Sequence, residues 1–222
     1  MVRILIVDDQ QLVRTGFRMI LADETQFEVV AEAQDGSSAV KLATEVQPDV
    51  VLMDIRMPGG IDGIEATRRI VALPGNGKTK VLILTTFDLD EYVFDALRAG
   101  ASGFLLKDVP AHHLISGIQI VADGDALLAP SITKRLIGEF AVPQPAAPLS
   151  GLTDLTAREL EVFMLIARGQ SNSEIAETLI LGNNTIKTHV TRILAKLRAR
   201  DRVHLVVMAY EAGVVKPGAG QE

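Results

Sequence analysis

Asp8 and Asp9 follow the apolar run Ile4–Val7, Asp54 follows Val50–Met53, Thr85 closes Val81–Thr85, and Lys107 follows Gly103–Leu106. If these runs are parallel strands of one sheet, their carboxyl ends share an edge, so three carboxylates, a hydroxyl and an ammonium converge. Clustered carboxylates raise one another's pKa unless a cation intervenes. Hard oxygen ligands that leave room for water suit Mg²⁺. A lysine can hold a phosphoryl oxygen as a point charge, and a threonine hydroxyl can donate to another. That set is suited to moving a phosphoryl group onto a carboxylate nucleophile.

The elements that must position these residues alternate over the first ~125 residues. The strand-like runs Ile4–Val7, Val29–Ala33, Val50–Met53, Val81–Thr85 and Gly103–Leu106 are apolar and mostly β-branched, as strands buried on both faces are. Helical periodicity falls between and after them, near Gln11–Ala22, Ser37–Val46, Ile61–Leu73, Glu91–Ala99 and Ala111–Ala122. Five strand-then-helix repeats predict a five-stranded, doubly wound parallel sheet of flavodoxin-like α/β type. Such folds bind ligands outside the carboxyl ends of their strands.

The chain then changes character. A helical stretch over Ser131–Phe140 leads into Ala141–Ser150, where three prolines in ten residues predict an extended linker. Beyond it the pattern is purely helical. Thr156 with Glu159, and Ser171 with Glu174, have the spacing of capping boxes. Further helices are predicted from about Asn184 to Ala199 and from about Arg202 to Ala212. The expected organisation is an α/β domain over 1–125, a linker over 126–150 and a small all-α domain over 151–222.

Charge divides the same way. The net charge of −6 combines an acidic first part, with 13 Lys/Arg against 20 Asp/Glu over residues 1–149, and a balanced remainder with 9 against 8. Six basic residues lie within Lys187–Arg202. Two parts of opposite character imply different partners. The absence of cysteine excludes disulfides, thiolate nucleophiles and cysteine-held zinc, and fits a reducing compartment. The short apolar runs fall well below the ~20 residues of a membrane helix, and the first residues lack a signal-peptide pattern. A soluble, cytoplasmic protein without a membrane partner is expected. Gly77-Lys78-Thr79 mimics a P-loop, but Ala72 stands where its first glycine belongs. Arg56 occupies the second aspartate position of a haloacid-dehalogenase motif, so neither hydrolase reading holds.

Val7-Asp8-Asp9-Gln10, Met53-Asp54-Ile55-Arg56-Met57-Pro58, Leu84-Thr85-Thr86 and Ala99-Gly100-Ala101-Ser102-Gly103-Phe104 through Lys107-Asp108 resemble the receiver domain of two-component response regulators. The resemblance implies that Asp54 is the phosphoacceptor and that Asp8, Asp9, Asp54 and the Arg56 backbone carbonyl hold Mg²⁺. It also makes Thr85 and Phe104 the switch pair and Lys107 the conserved lysine. One departure is Met57-Pro58-Gly59-Gly60-Ile61-Asp62-Gly63, in which Gly59 or Gly60 is an extra residue beside the site. Arg56 and Phe87 would flank the path of a hydrolytic water.

Leu155–Gly169, Ser171–Ala176 and Asn184–Val190 resemble the LuxR-type helix-turn-helix domain, so the whole chain resembles a NarL/FixJ-type response regulator. The resemblance implies a transcription regulator phosphorylated by a sensor histidine kinase, which binds promoter DNA as a homodimer. Helical spacing puts Ile186, Val190, Ile193, Leu194 and Leu197 toward the core. Lys187, Thr188 and Thr191 then face base edges, Thr191 with a thymine methyl as its partner, and Arg192, Lys196 and Arg198 take phosphates. Arg158 and Glu159 are expected to form a structural ion pair, and His189 to be exposed or to cap a local contact. The apolar final helix (Val203, Leu205–Met208) would be core or a dimer face, with the dimer face favoured. Two other readings compete. A receiver gated without phosphorylation is opposed by the complete acidic set, and a kinase or phosphatase by the lack of any nucleotide loop.

Overall fold

The computed structural model describes residues 1–74, 79–85, 90–124, 149 and 151–215, with residues 90–94 and 211 described by their backbone alone. The helix expected over Ser131–Phe140, most of the Pro-rich segment, and Phe87 lie outside the described residues. The chain divides into two compact units, Met1–Leu127 and Leu128–Glu222.

In the first unit, strands β1 (Val2–Val7), β2 (Phe27–Ala33), β3 (Val50–Asp54), β4 (Lys80–Thr85) and β5 (Gly103–Leu106) alternate with helices. These are α1 (Gln11–Ala22), α2 (Gly36–Val46), α3 (Gly63–Ala72), α4 (Asp90–Ala99) and α5 (Ala111–Ala122). The strands pair in parallel in the order β2-β1-β3-β4-β5. Every residue of β3 and β4 is buried, which explains the apolar runs Val50–Met53 and Val81–Leu84 within them. Chain order reverses at β1, so the carboxyl ends of β1 and β3 flank the topological switch point.

α3 begins two residues later than the periodicity predicted, because Ile61 precedes the cap: Asp62 accepts a 2.8 Å hydrogen bond from the Glu65 amide. The Gly59-Gly60 insertion takes φ of 82° and 95°, a left-handed conformation that glycine adopts without a steric penalty. The extra residue is thus absorbed inside the loop, and β3 and α3 keep their contact.

The second unit opens with a single 3₁₀ turn at Leu152–Asp154, followed by α6 (Ala157–Ala167), α7 (Asn172–Leu179), α8 (Asn183–Leu197) and α9 (Arg202–Glu211). Both expected capping boxes form, Thr156 with Glu159 and Ser171 with Glu174. The core joins Phe163 and Ile166 to Ile175, Ile186, Ile193, Leu197 and Leu205. The surplus apolar surface expected on the last helix is not on show. Val203, Leu205, Val206 and Val207 are all buried, and Leu205 and Val206 belong to the core of this unit.

The turn between α7 and α8 carries a local conflict. Ile180 caps α7 at φ 54°, ψ 51°, where a β-branched side chain collides with its own backbone, and it is 91% exposed. Its side chain therefore returns little burial for the strain. Ile180→Gly is expected to stabilise this domain by about 1 kcal/mol, measured as a rise in its thermal midpoint. A fall would show that the exposed isoleucine has a contact worth more than the strain.

Candidate metal centre and nucleic-acid interface

Each strand end delivers its residue to one edge of the sheet. Lys107, just past β5, donates its amide to the Thr85 carbonyl at 2.9 Å, which fixes it beside the end of β4. Its Nζ lies 2.6 Å from Asp8 Oδ2 and 2.9 Å from Asp54 Oδ2. The second oxygen of each carboxylate is held by backbone: Asp8 Oδ1 accepts from the Gln10 amide at 2.9 Å and Asp54 Oδ1 from the Ile55 amide at 2.8 Å. Asp9 is half-buried and completes a cluster in which one oxygen from each of Asp8, Asp9 and Asp54 lies within 4.8 Å of the others. Thr85 and Phe104 are each 2% exposed, so the ring of Phe104 is turned into the fold.

Burial pushes the Asp54 carboxyl above the ordinary carboxylate range, outweighing the pull of Lys107. Burial also works against the Lys107 ammonium, but its bonds to Asp8 and Asp54 together overcome this and hold it above the usual lysine value. Among the described residues, three carboxylates cluster about the Lys107 ammonium, with Asp8 and Asp54 buried. That surplus of negative charge, carried on hard oxygens, fits a divalent cation and is otherwise costly.

Gly63 was not singled out from the sequence, yet it sets the depth of this pocket. Its amide donates to the Ile55 carbonyl at 2.9 Å, and a Cβ there would come within 1.9 Å of the Asp54 carbonyl oxygen. Only glycine lets α3 start against the end of β3. The sequence signal was present in Asp62-Gly63, a cap followed at once by a residue with no side chain.

In the second unit, α8 presents Lys187, Thr188, Thr191 and Arg192 to solvent while Ile186, Val190, Ile193 and Leu197 are buried, as their spacing predicted. Thr188 Oγ1 donates to the Asn184 carbonyl at 2.9 Å and Thr191 Oγ1 to the Lys187 carbonyl at 3.0 Å. With each hydroxyl proton committed to the helix, these threonines offer a methyl group and an acceptor to a ligand. Arg198 is exposed at the left-handed end of α8. His189 is half-buried, its Nδ1 buried without a hydrogen-bond partner among the described residues.

One expectation is corrected, the pairing of Arg158 with Glu159. Lys196, expected to contact phosphate, is exposed, and its Nζ lies 2.6 Å from the buried Glu159 carboxylate and donates to the Asp154 carbonyl at 3.0 Å. These contacts fasten α8 onto the start of α6. Glu159 therefore pairs with Lys196 and not with Arg158, whose guanidinium bonds Glu161 at 2.7 Å and the Leu179 carbonyl at 2.9 Å. The neighbours Arg158 and Glu159 diverge because successive helix positions point about 100° apart.

A parallel sheet with an acidic pocket at its carboxyl edge, followed by a helix-turn-helix unit, defines a regulator with a receiver in front of a DNA-binding domain. Comparison with known proteins agrees. Residues 4–119 match the response regulator receiver domain, and residues 153–209 match the luxR family of bacterial regulatory proteins. The transcriptional regulatory protein YxjL of Bacillus subtilis is 44% identical over 97% of this chain and 98% of its own. The oxygen regulatory protein NreC of Staphylococcus carnosus is 42% identical over 93% and 96%. The crystal structure of ChrA, the response regulator of a heme-sensing two-component system, is 36% identical with a TM-score of 0.50, covering 96% of this chain and 98% of that one. The chain belongs to the two-component response regulators that join a receiver to a luxR-type DNA-binding domain. Proteins of this family are transcription regulators, not enzymes. Among the described residues, no helix is long and apolar enough to cross a membrane.

Proposed function

We propose that Asp54 accepts a phosphoryl group from a sensor histidine kinase and that this controls dimerisation and promoter binding through α8. The observation that carries the reading is the buried Asp8–Lys107–Asp54 cluster with Asp9 beside it. The carboxylates of Asp8, Asp9 and Asp54 and the Arg56 carbonyl would hold Mg²⁺, which when bound neutralises charge on phosphoryl oxygens. An Asp54 oxygen forms the new P–O bond as the P–N bond to the kinase histidine breaks. Lys107 then moves its contact from the carboxylate to a phosphoryl oxygen, and the Thr85 hydroxyl donates to another. About −2 charge at Asp54 draws Thr85 inward, and Phe104 turns with it. The reading extends to domain limits of 1–125, 126–150 and 151–222, supported by the matched ranges and by the division near Leu127, and to a cytoplasmic location, where its DNA would be.

On α1, Leu12 is 84% and Met19 69% exposed, beside a groove lined by Val13, Phe17, Ile20 and Lys107. That apolar surface next to the pocket supports docking of the kinase there. Leu12→Glu should slow transfer from a phosphorylated kinase severalfold while uptake from acetyl phosphate is unchanged. On α8, Lys187, Thr188 and Thr191 would read base edges, with Arg192 and Arg198 on phosphates.

The test combines acetyl phosphate and Mg²⁺ with intact-mass measurement, sedimentation and binding to DNA selected from a random pool. One phosphoryl per chain, a shift toward dimer and tighter DNA binding are expected together. Equal affinity with and without bound phosphoryl would instead favour a receiver gated by other means.

A further inference from the structure

We propose that Arg14 is a positioning residue of the acidic site, which aims Asp9 by fixing the peptide that joins it to Asp8. This rests on the reading of Asp8, Asp9 and Asp54 as a divalent-cation site. Arg14 stands on α1, and a long cation on a helix would ordinarily extend its head into water. Here the side chain is only 14% exposed, and its Nη1 donates to the Asp8 carbonyl oxygen at 2.7 Å.

The other atoms of Asp8 are already engaged. Its amide donates to the Ala33 carbonyl at 3.2 Å, and its carboxylate oxygens are held by the Gln10 amide and by Lys107. The carbonyl bond to Arg14 adds the one constraint that passes along the chain. A peptide unit is planar, so fixing the Asp8 carbonyl fixes the Asp9 nitrogen and Cα, and with them the origin of the Asp9 side chain.

A guanidinium this close to a cation site would repel the cation if it kept its full charge. Glu32 on β2 offsets it, with Oε2 3.4 Å from Arg14 Nε and Oε1 3.7 Å from Arg18 Nε. One carboxylate shared by two guanidiniums offsets only part of the charge of Arg14. Position and charge therefore predict opposite results when Arg14 is neutralised.

The experiment compares full-length wild type, Arg14→Gln and Arg14→Lys. Mg²⁺ affinity is read by isothermal titration calorimetry, the metal-free thermal midpoint by calorimetry, and phosphoryl uptake from acetyl phosphate by intact mass. Arg14→Gln should weaken Mg²⁺ binding about tenfold, the usual scale for losing a group that orients a metal ligand. Arg14→Lys, whose ammonium can still reach the carbonyl, should recover part of that loss. An unchanged Mg²⁺ affinity with a lowered midpoint would overturn the proposal and leave Arg14 as a fold contact. Tighter Mg²⁺ binding would overturn it by showing that charge outweighs position. A wild type that binds Mg²⁺ but takes no phosphoryl would refute the phosphoacceptor reading alone, and the Arg14 comparison would still decide the inference.

Discussion

Asp54→Ala is expected to reduce phosphoryl uptake from about one group per chain to none, whatever the donor or Mg²⁺ concentration. In this reading Asp8 and Asp9 are held to the cation, and Asp54, buried beside Lys107, is the nucleophile. Asp9→Ala should behave differently, needing more Mg²⁺ and reacting more slowly but reaching the same plateau, because the nucleophile remains. Intact mass against time separates the two, and stoichiometric label on Asp54→Ala would show the assignment to be wrong.

The same residue carries a stability effect whose sign follows from its environment. Burial raises the Asp54 pKa in the folded state above its ordinary value of 3.8, so the folded chain holds that proton more tightly than the unfolded chain does. Stability therefore falls as pH rises through the window from 3.8 to the raised folded value, and the full penalty applies at neutral pH. Asp54→Asn removes the penalised charge. Its metal-free thermal midpoint at pH 7 should exceed that of wild type, with the gain shrinking as pH falls from the raised folded value to 3.8 and vanishing below it. A variant less stable than wild type at pH 7 would mean that the contact with Lys107 outweighs the burial.

Most of the pocket was legible because it depends on where strands end. Runs of Val, Ile and Leu mark a strand buried on both faces, and the first polar residue after each run necessarily sits at the carboxyl edge. Asp8, Asp54, Thr85 and Lys107 needed nothing more. Arg14, Gly63 and Lys196 were harder because their roles depend on reach or close approach between elements. Arg14 folds back over six residues to a backbone carbonyl, and no pattern of polarity records that. Gly63 matters through the atom it lacks. The basic run from Lys187 to Arg202 reads as one surface on paper, but on a helix of about 100° per residue Lys187 and Lys196 project about 180° apart. Lys187 faces outward, and Lys196 comes round to the side where α6 begins.

That placement sets the second large expectation. Lys196→Met should leave the salt dependence of DNA binding unchanged and lower the thermal midpoint of the C-terminal domain. It removes the cation from a Glu159 carboxylate that is only 3% exposed and that also accepts from the Thr156 amide at 2.8 Å. The hydrogen bond from the Lys196 ammonium and, after it, that from the Thr156 amide hold the Glu159 pKa down at about 2, against an ordinary value of 4.5. Because the folded value is depressed, the pair's contribution is fully present above 4.5 and is lost as pH falls toward 2. Glu159→Gln should accordingly be less stable than wild type at pH 7, and the two should converge near pH 2. Arg192→Ala is the contrasting case. Its side chain is exposed, about 100° round α8 from Thr191, and no ion pair among the described residues holds it, so losing one phosphate contact should weaken binding to all sequences alike and reduce the salt slope by about 0.9. DNA binding measured across a salt series, alongside thermal melts from pH 2 to 7, distinguishes the fastener from the phosphate contact. If Lys196→Met reduced the salt slope by about one unit with an unchanged midpoint, the ammonium would leave Glu159 for DNA, and the packing of α8 on α6 would have to rest on Leu197 and its apolar neighbours alone.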